Sequence, residues 1–124
     1  MGKILIIDDD VDICTLLKRF LERKGFEVFT SFKGKEGVQQ FSDGQFDVVL
    51  TDFRLPDMDG IDVLKSIKKI KPNTPVIVIT GYSDVSQAVK VIRLGAFEYV
   101  TKPIYPEEIL LLIQDALKLK NKSE

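Results

Sequence analysis

The chain has 124 residues, enough for one domain with a single hydrophobic core. Hydrophobic residues make up 44% and charged residues 30%, which is typical of a folded globular protein and argues against a disordered chain. The net charge of −1 argues against direct nucleic-acid binding, because phosphate backbones require a basic surface.

Histidine is absent and cysteine occurs once, at Cys14. These counts exclude catalytic triads that need histidine, histidine-ligated metals, metal sites built from several cysteines, and an internal disulfide. A single cysteine fits a reducing compartment, so we expect a cytoplasmic protein. No apolar stretch approaches the roughly 20 residues that a membrane span requires, and no signal peptide is recognisable.

Short apolar runs alternate with segments of helical period along the chain. The runs at 4–7, 48–50 and 76–79 are continuously apolar, as in parallel strands that are covered on both faces. Five strand–helix repeats without long linkers predict a doubly wound α/β domain over residues 1–120, with 121–124 as a tail or the start of a linker. The predicted strands are 3–8, 27–31, 47–52, 75–80 and 98–101, and the predicted helices are 11–24, 34–43, 60–71, 84–94 and 106–120.

Capping residues mark several helix ends. Gly25 follows the first helix as a C-cap, and Pro106 begins the last helix. Asp59 is the start signal of the third helix, and Ser83 or Asp84 is that of the fourth.

Apolar stripes on the first and last helices indicate the faces that pack on the sheet. Leu111 points away from the stripe of the last helix, and Leu94 does likewise on the preceding helix. We therefore expect Leu94 and Leu111 to form an exposed apolar surface for a partner, although single surface leucines are also common. The stripes are Ile13, Leu16, Leu17, Phe20 and Leu21 in the first helix, and Ile109, Leu112, Ile113, Ala116 and Leu117 in the last.

Polar side chains follow the strands at their carboxyl ends, where the ligand crevice of such a sheet lies. Clustered carboxylates repel one another, and without histidine or further cysteine the cation that fits them is Mg²⁺, held by carboxylates and water. A magnesium ion, an ammonium group and a hydroxyl beside one carboxylate suit a phosphoryl group carried on that carboxylate. The residues concerned are Asp8, Asp9, Asp10, Asp52, Thr80 and Lys102.

Each of these features also has a structural interpretation. The aspartates at 8–10 can cap the first helix, and the Pro-Asp-Met-Asp-Gly segment at 56–60 can be turn chemistry. Their occurrence together at one edge of the sheet favours the functional interpretation.

Four motifs resemble the receiver domain of bacterial two-component response regulators. They are ILIIDDD at 4–10, VVLTDFRLPDMDG at 48–60, VIVIT at 76–80 and YVTKP at 99–103. The resemblance covers residues 3–118 and implies a flavodoxin-like fold with a five-stranded parallel sheet in the order 2-1-3-4-5. The stretch 80–103 is most similar to receivers of activators that work with the enhancer-dependent sigma factor.

The resemblance also implies residue roles at the sheet edge. Asp52 would accept a phosphoryl group from a histidine kinase. Asp9, Asp52 and the backbone carbonyl of Arg54 would ligate Mg²⁺, with Asp8 acting through a bound water. Lys102 would pair with the phosphoryl oxygens.

A switch is implied as well. Thr80 would bind a phosphoryl oxygen and move inward, and the ring of Tyr99 would follow it. The changed face of helix 4, strand 5 and helix 5 would then control an output domain or target, and a phosphorylation-dependent homodimer is one form this can take. The bond between Lys102 and Pro103 is expected to be cis. Asp10 stands where the family commonly has Glu, which keeps the charge.

Two further expectations concern activity and extent. Arg54 and Tyr82 lie two residues beyond Asp52 and Thr80, where we expect them to tune the lifetime of the phosphoryl group. The chain would promote only its own phosphorylation and dephosphorylation, so it would not be an enzyme in the usual sense. It ends before any output domain, which fits either a stand-alone regulator or the receiver of a longer protein.

Three other interpretations compete with this one. An interaction module that works without phosphorylation is disfavoured because every motif position is intact. An aspartate-nucleophile phosphatase would use a D-x-D pattern like Asp8–Asp10, but its late acidic metal motif is missing. A flavin module would need a phosphate-binding loop where this chain has aspartates that repel phosphate.

Overall fold

The computed structural model describes residues 2–82 and 84–123, with side chains up to Leu119. Strands and helices alternate, and all strand pairs are parallel. The sheet order β2-β1-β3-β4-β5 confirms the predicted flavodoxin-like topology. The strands are β1 (Lys3–Ile7), β2 (Glu27–Ser31), β3 (Val48–Asp52), β4 (Val76–Thr80) and β5 (Glu98–Thr101). The helices are α1 (Val11–Arg23), α2 (Gly34–Asp43), α3 (Gly60–Ile70), α4 (Val85–Arg93) and α5 (Pro106–Ser123).

The apolar strands are buried on both faces because helices cover both sides of the sheet. Alternate residues of β1 enter different cores: Ile4 and Ile6 pack with α1 and α5, whereas Leu5 and Ile7 pack with α2, α3 and α4. This two-sided burial explains why β1, β3 and β4 are continuous apolar runs without polar alternation.

Local capping sets the ends of several helices. Asp59 and Asp84 accept hydrogen bonds from the backbone N–H groups that begin α3 and α4, as predicted. The C-cap of α1 is Lys24, one residue before the predicted Gly25, and Gly25 follows it with a φ of 97°, the left-handed conformation that commonly comes after a helix end. Ser83, the alternative start signal for α4, lies outside the described residues.

The apolar stripe of α1 differs from the predicted one at one position. Leu16 is 50% exposed, and Cys14 takes a buried place beside Leu17 and Leu21. The helix is rotated about its axis relative to the predicted orientation. Because positions 14, 17 and 21 face the sheet, position 16 lies at the edge of the buried face. The predicted stripe of α5 is confirmed, with Ile109, Ile113 and Ala116 buried and Leu112 and Leu117 half-buried against the same core.

Strand register places the polar residues at one edge of the sheet. Asp52 pairs with Ile79, and Thr80 pairs with Thr101, so β3, β4 and β5 end at nearly the same level. Of the helices described, none combines the length and the apolar character that crossing a membrane requires. The structure carries α5 to Ser123, three residues beyond the predicted end, while Glu124 lies outside the described residues.

Candidate phosphoacceptor and metal site

Three carboxylates meet where β1 and β3 end. Asp8 and Asp52 are 2% and 6% exposed, whereas Asp9 is exposed to solvent. One oxygen from each of these three side chains lies within 4.8 Å of the others. The structure therefore brings together three of the four carboxylates that the sequence placed at this edge, and Asp10 is not among them.

Lys102 supplies the positive charge at this site. Its Nζ lies 3.5 Å from Asp52 Oδ1 and 3.7 Å from Asp8 Oδ2. Its backbone N–H donates to the Thr80 carbonyl at 2.7 Å, which fixes the residue against the end of β4. The Lys102–Pro103 peptide bond is cis, as expected.

Burial opposes the charged state of both enclosed carboxyl groups. It raises the pKa of Asp8 to about 6, with a further contribution from the negative charge of Asp52. Burial likewise raises the pKa of Asp52, against the lowering effect of Lys102. One ammonium group thus compensates the cluster only partly, and the donor set is all oxygen, so a hard cation such as Mg²⁺ fits it.

The capping interpretation of the aspartates holds for one of the three. Asp10 Oδ1 accepts from the N–H groups of Asp12 and Ile13 and so caps α1. Asp8 Oδ1 accepts from the Asp10 N–H at 2.9 Å, which orients Asp8 toward the cluster. Asp10 therefore caps α1, while Asp8 and Asp9 join Asp52.

Arg54 and Tyr82 lie at the rim of the site. Both side chains are exposed, and Tyr82 is 62% exposed. The backbone of Arg54 pairs with Asp59 in an isolated antiparallel bridge, which closes the loop between β3 and α3. The roles expected of these two residues stay predictions.

Thr80 and Tyr99 are joined through the backbone of Tyr82. Thr80 Oγ1 accepts from the Tyr82 N–H at 3.2 Å, and the hydroxyls of Thr80 and Tyr99 both lie within hydrogen-bond distance of the Tyr82 carbonyl. The Tyr99 hydroxyl also lies 2.6 Å from Gln87 Oε1. Gln87 was not identified from the sequence. The signal that could have found it is weak: Gln87 is a polar residue in the first turn of α4, and the next strand carries a tyrosine.

The predicted apolar surface needs one correction. Leu111 is 60% exposed, as expected, but Leu94 is half-buried and packs on the core that contains α2, α3 and α4. Leu94 lies beyond the last residue of α4 as its C-cap, where the chain turns back toward the sheet at Gly95. The exposed apolar side chains of α4 are Val85, Val89 and Ile92.

Comparison with known proteins identifies the same family that the four sequence motifs resemble. Residues 4–114 match the family described as response regulator receiver domain. The chain is 40% identical over 121 residues to the regulatory protein AtoC of Escherichia coli K12, a match that covers 98% of this chain and 26% of AtoC. It thus spans about a quarter of that relative's length.

Solved structures agree. A response regulator receiver domain protein from Clostridium thermocellum is 37% identical, with a TM-score of 0.94 and full coverage of both chains. The beryllofluoride-activated receiver domain dimer of NtrC4 is 35% identical, with a TM-score of 0.92 over 97% of this chain and 99% of that one. With a family match over most of its length and a site built from the residues that the four motifs contribute, the chain belongs to the response regulator receiver domains, the phosphorylation-activated signalling switches of two-component regulation.

Proposed function

We propose that Asp52 accepts a phosphoryl group from a histidine kinase and that this event changes the face formed by α4, β5 and α5. The observation that carries the proposal is the setting of Asp52: a buried carboxylate 3.5 Å from the Lys102 ammonium, within a group of carboxylates that fits Mg²⁺. The changed face controls an output domain or a separate target. The protein works as a switch and acts chemically only on its own Asp52.

The transfer is a nucleophilic substitution at phosphorus. A carboxylate oxygen of Asp52 forms the new P–O bond while the P–N bond to the kinase histidine breaks, and the leaving imidazole takes up a proton from solvent. Lys102 moves its charge toward the arriving phosphoryl oxygens and stabilises them.

Asp9, Asp52 and the Arg54 carbonyl are the proposed Mg²⁺ ligands, and Asp8 acts through a water. A bound Mg²⁺ neutralises negative charge on the phosphoryl oxygens. Burial raises the pKa of both Asp8 and Asp52, so a cation held beside them would lower the cost of keeping the two carboxylates charged.

The signal then passes through Thr80. Its hydroxyl leaves Tyr82 to donate to a phosphoryl oxygen, and the Tyr99 ring turns into the space that Thr80 vacates. Because Tyr99 lies on β5 beside Val89 and Ile92 of α4, this repacking reaches those two exposed apolar side chains. The exposed Leu111 of α5 is proposed as a further part of the same output face. A phosphorylation-dependent homodimer through that face is one proposed output.

Intact mass spectrometry tests the proposal directly. The starting protein and Asp52→Asn are incubated with a small acyl-phosphate donor, with and without Mg²⁺. One Mg²⁺-dependent phosphoryl adduct that is absent in Asp52→Asn is the expected result. A folded protein that binds Mg²⁺ but forms no adduct would contradict it and favour an interaction module that works without phosphorylation.

The rim residues Arg54 and Tyr82 are proposed to set the lifetime of the adduct. Both side chains are exposed next to the site, where they can shield or order the hydrolytic water. Decay of the adduct, followed by mass in Arg54→Ala and Tyr82→Ala, should differ from the starting protein. Unchanged decay in both variants would remove this role.

The output face is tested by association. Leu111→Glu and Val89→Glu should weaken self-association or target binding of the beryllofluoride-treated protein, measured by analytical ultracentrifugation. Leu16→Glu, the same change at an exposed leucine of α1 that lies outside the α4–β5–α5 face, is the control. The site of action is proposed to be the cytoplasm, where a histidine kinase presents its phosphodonor domain and the free thiol of Cys14 stays reduced.

A further inference from the structure

The N-terminus of α2 is capped from a distant loop. Lys33, the residue before α2, makes no side-chain capping hydrogen bond. The carboxylate of Asp57 caps this helix end instead. Its Oδ1 accepts from the Gly34 N–H at 2.8 Å, and its Oδ2 accepts from the Lys35 N–H at 2.9 Å. In α1, α3 and α4, by contrast, the aspartate immediately before the helix accepts the capping hydrogen bonds.

Close packing reinforces the link. A Cβ on Gly34 would overlap Met58 Cγ and lie 2.6 Å from its Sδ, so the absence of a side chain at position 34 is what lets Met58 reach α2. Asp57 and Met58 are neighbours in the loop between β3 and α3. Two adjacent loop residues thus hold the first turn of α2, one by hydrogen bonds and one by packing.

The same loop carries Arg54. Two backbone contacts join the ends of this loop. One is the Arg54–Asp59 bridge, and the other is a hydrogen bond from the Gly60 N–H to the Phe53 carbonyl at 2.6 Å. Phe53 is itself held by donation of its N–H to the Ile79 carbonyl at 2.7 Å. The loop is therefore closed at both ends, and Asp57, which bonds to α2, lies three residues from Arg54 within it.

We propose that Asp57 is a positioning residue for the metal site: by tying the β3–α3 loop to α2, it holds the Arg54 carbonyl where Mg²⁺ is bound. This inference rests on the proposed function of that carbonyl. Asp57 is exposed, its carboxylate bonds to the N–H groups of Gly34 and Lys35, and it is not one of the three grouped carboxylates, so it acts through the loop backbone.

Calorimetric titration with Mg²⁺ on the full chain tests this role. Asp57→Ala should raise the Mg²⁺ Kd by about 3- to 10-fold, less than the loss typical of a group that directly orients a ligand. Asp57→Asn retains one acceptor oxygen and should recover part of the affinity. The matched control is Gln39→Gly, which weakens α2 on its exposed face without touching the loop and should leave the Kd unchanged.

A second pair of variants tests the packing contact. Gly34→Ala should raise the Kd because its methyl group pushes Met58 and the loop outward, and adding Met58→Ala should restore part of the loss by making room. This restoration separates loop position from helix stability, since alanine in α2 is otherwise favourable.

The outcomes are distinguishable. An unchanged Kd in folded Asp57→Ala, beside normal binding by the starting protein, overturns the inference and leaves the proposed function intact. The inference is also overturned if Gln39→Gly weakens binding as much as Asp57→Ala does, because helix stability then explains the effect. A starting protein that binds no Mg²⁺ overturns the proposed metal site and this inference with it.

Discussion

The hydroxyl groups of Thr80 and Tyr99 share one acceptor, the backbone carbonyl oxygen of Tyr82, at 3.3 and 3.1 Å. Thr80 lies at the buried end of β4, whereas Tyr99 lies half-buried on the edge strand β5. The Tyr82 backbone after β4 therefore joins the proposed phosphorylation site to the proposed output face. In the proposed switch, movement of Thr80 would break its bonds to Tyr82 and change what the Tyr99 hydroxyl can bind.

Removal of the Thr80 hydroxyl should uncouple Tyr99 from the site. Thr80→Val keeps the shape of the side chain but has no group to donate to a phosphoryl oxygen. We expect the ring signals of Tyr99, observed by NMR with labelled tyrosine, to shift on beryllofluoride addition in the starting protein and to shift much less in Thr80→Val. Thr30→Val, on β2, is the control. A full Tyr99 shift in Thr80→Val would show that the signal takes another route.

Loss of the Lys102 charge should slow phosphorylation. Lys102→Met keeps the length of the side chain and removes the ammonium group that lies near Asp8 and Asp52. We expect the rate of adduct formation with an acyl-phosphate donor to fall by about 100-fold, the usual effect of deleting one group that stabilises developing charge. Lys65→Met, at an exposed position of α3, should retain the full rate. An unchanged rate in Lys102→Met would contradict the role of this ammonium group.

Neutralising Asp8 should stabilise the metal-free protein. The pKa of Asp8 is about 6 in the folded state against 3.8 for an ordinary aspartate, so the folded state retains a proton that the unfolded state has released. The free energy of unfolding therefore falls as pH rises from about 4 to about 6. Asp8→Asn mimics the protonated form and should gain about 1–3 kcal/mol at pH 7.

Urea unfolding in a chelating buffer measures that gain, which should shrink toward pH 4 because wild-type Asp8 is then protonated. Asp115→Asn, which removes an exposed carboxylate, is the control. Saturating Mg²⁺ should favour the starting protein, since the ion stabilises the ionised cluster. If Asp8→Asn is less stable than the starting protein at pH 7 without metal, the conclusion that burying the charged Asp8 carboxylate destabilises the folded state is wrong.

The thiol of Cys14 should be inert in the folded protein. Burial, aided by the negative charge of Asp8, raises its pKa to about 12, and its Sγ donates to the Asp8 carbonyl at 3.3 Å. Because the thiolate is the reactive form, alkylation by iodoacetamide at pH 8 should be very slow. Urea should restore the rate of a free cysteine. Rapid labelling without urea would mean that α1 opens readily beside the metal site.

Much of this molecule follows from sequence patterns alone. Continuous apolar runs predict β1, β3 and β4 as buried parallel strands, which places Asp8, Asp52 and Thr80 at strand ends. These residues lie close together because the carboxyl ends of parallel strands meet at one edge. Helix starts at Asp59 and Asp84 are also readable because capping is a local hydrogen bond within a few residues. The strand order, in contrast, came from the family resemblance, since periodicity does not say which strands are neighbours.

Only the tertiary structure decided the features that depend on contacts between distant segments. The cap of α2 comes from Asp57, which lies 23 residues from Gly34 along the chain, and no local pattern reports such a bond. Leu94 is half-buried because the chain turns at its position, which a helical wheel of an isolated segment does not represent. The sequence thus determined which side chains reach the site, because strand ends follow local periodicity. The tertiary structure decided which backbone segments hold those side chains in place, because hydrogen bonds and packing between distant segments depend on three-dimensional proximity.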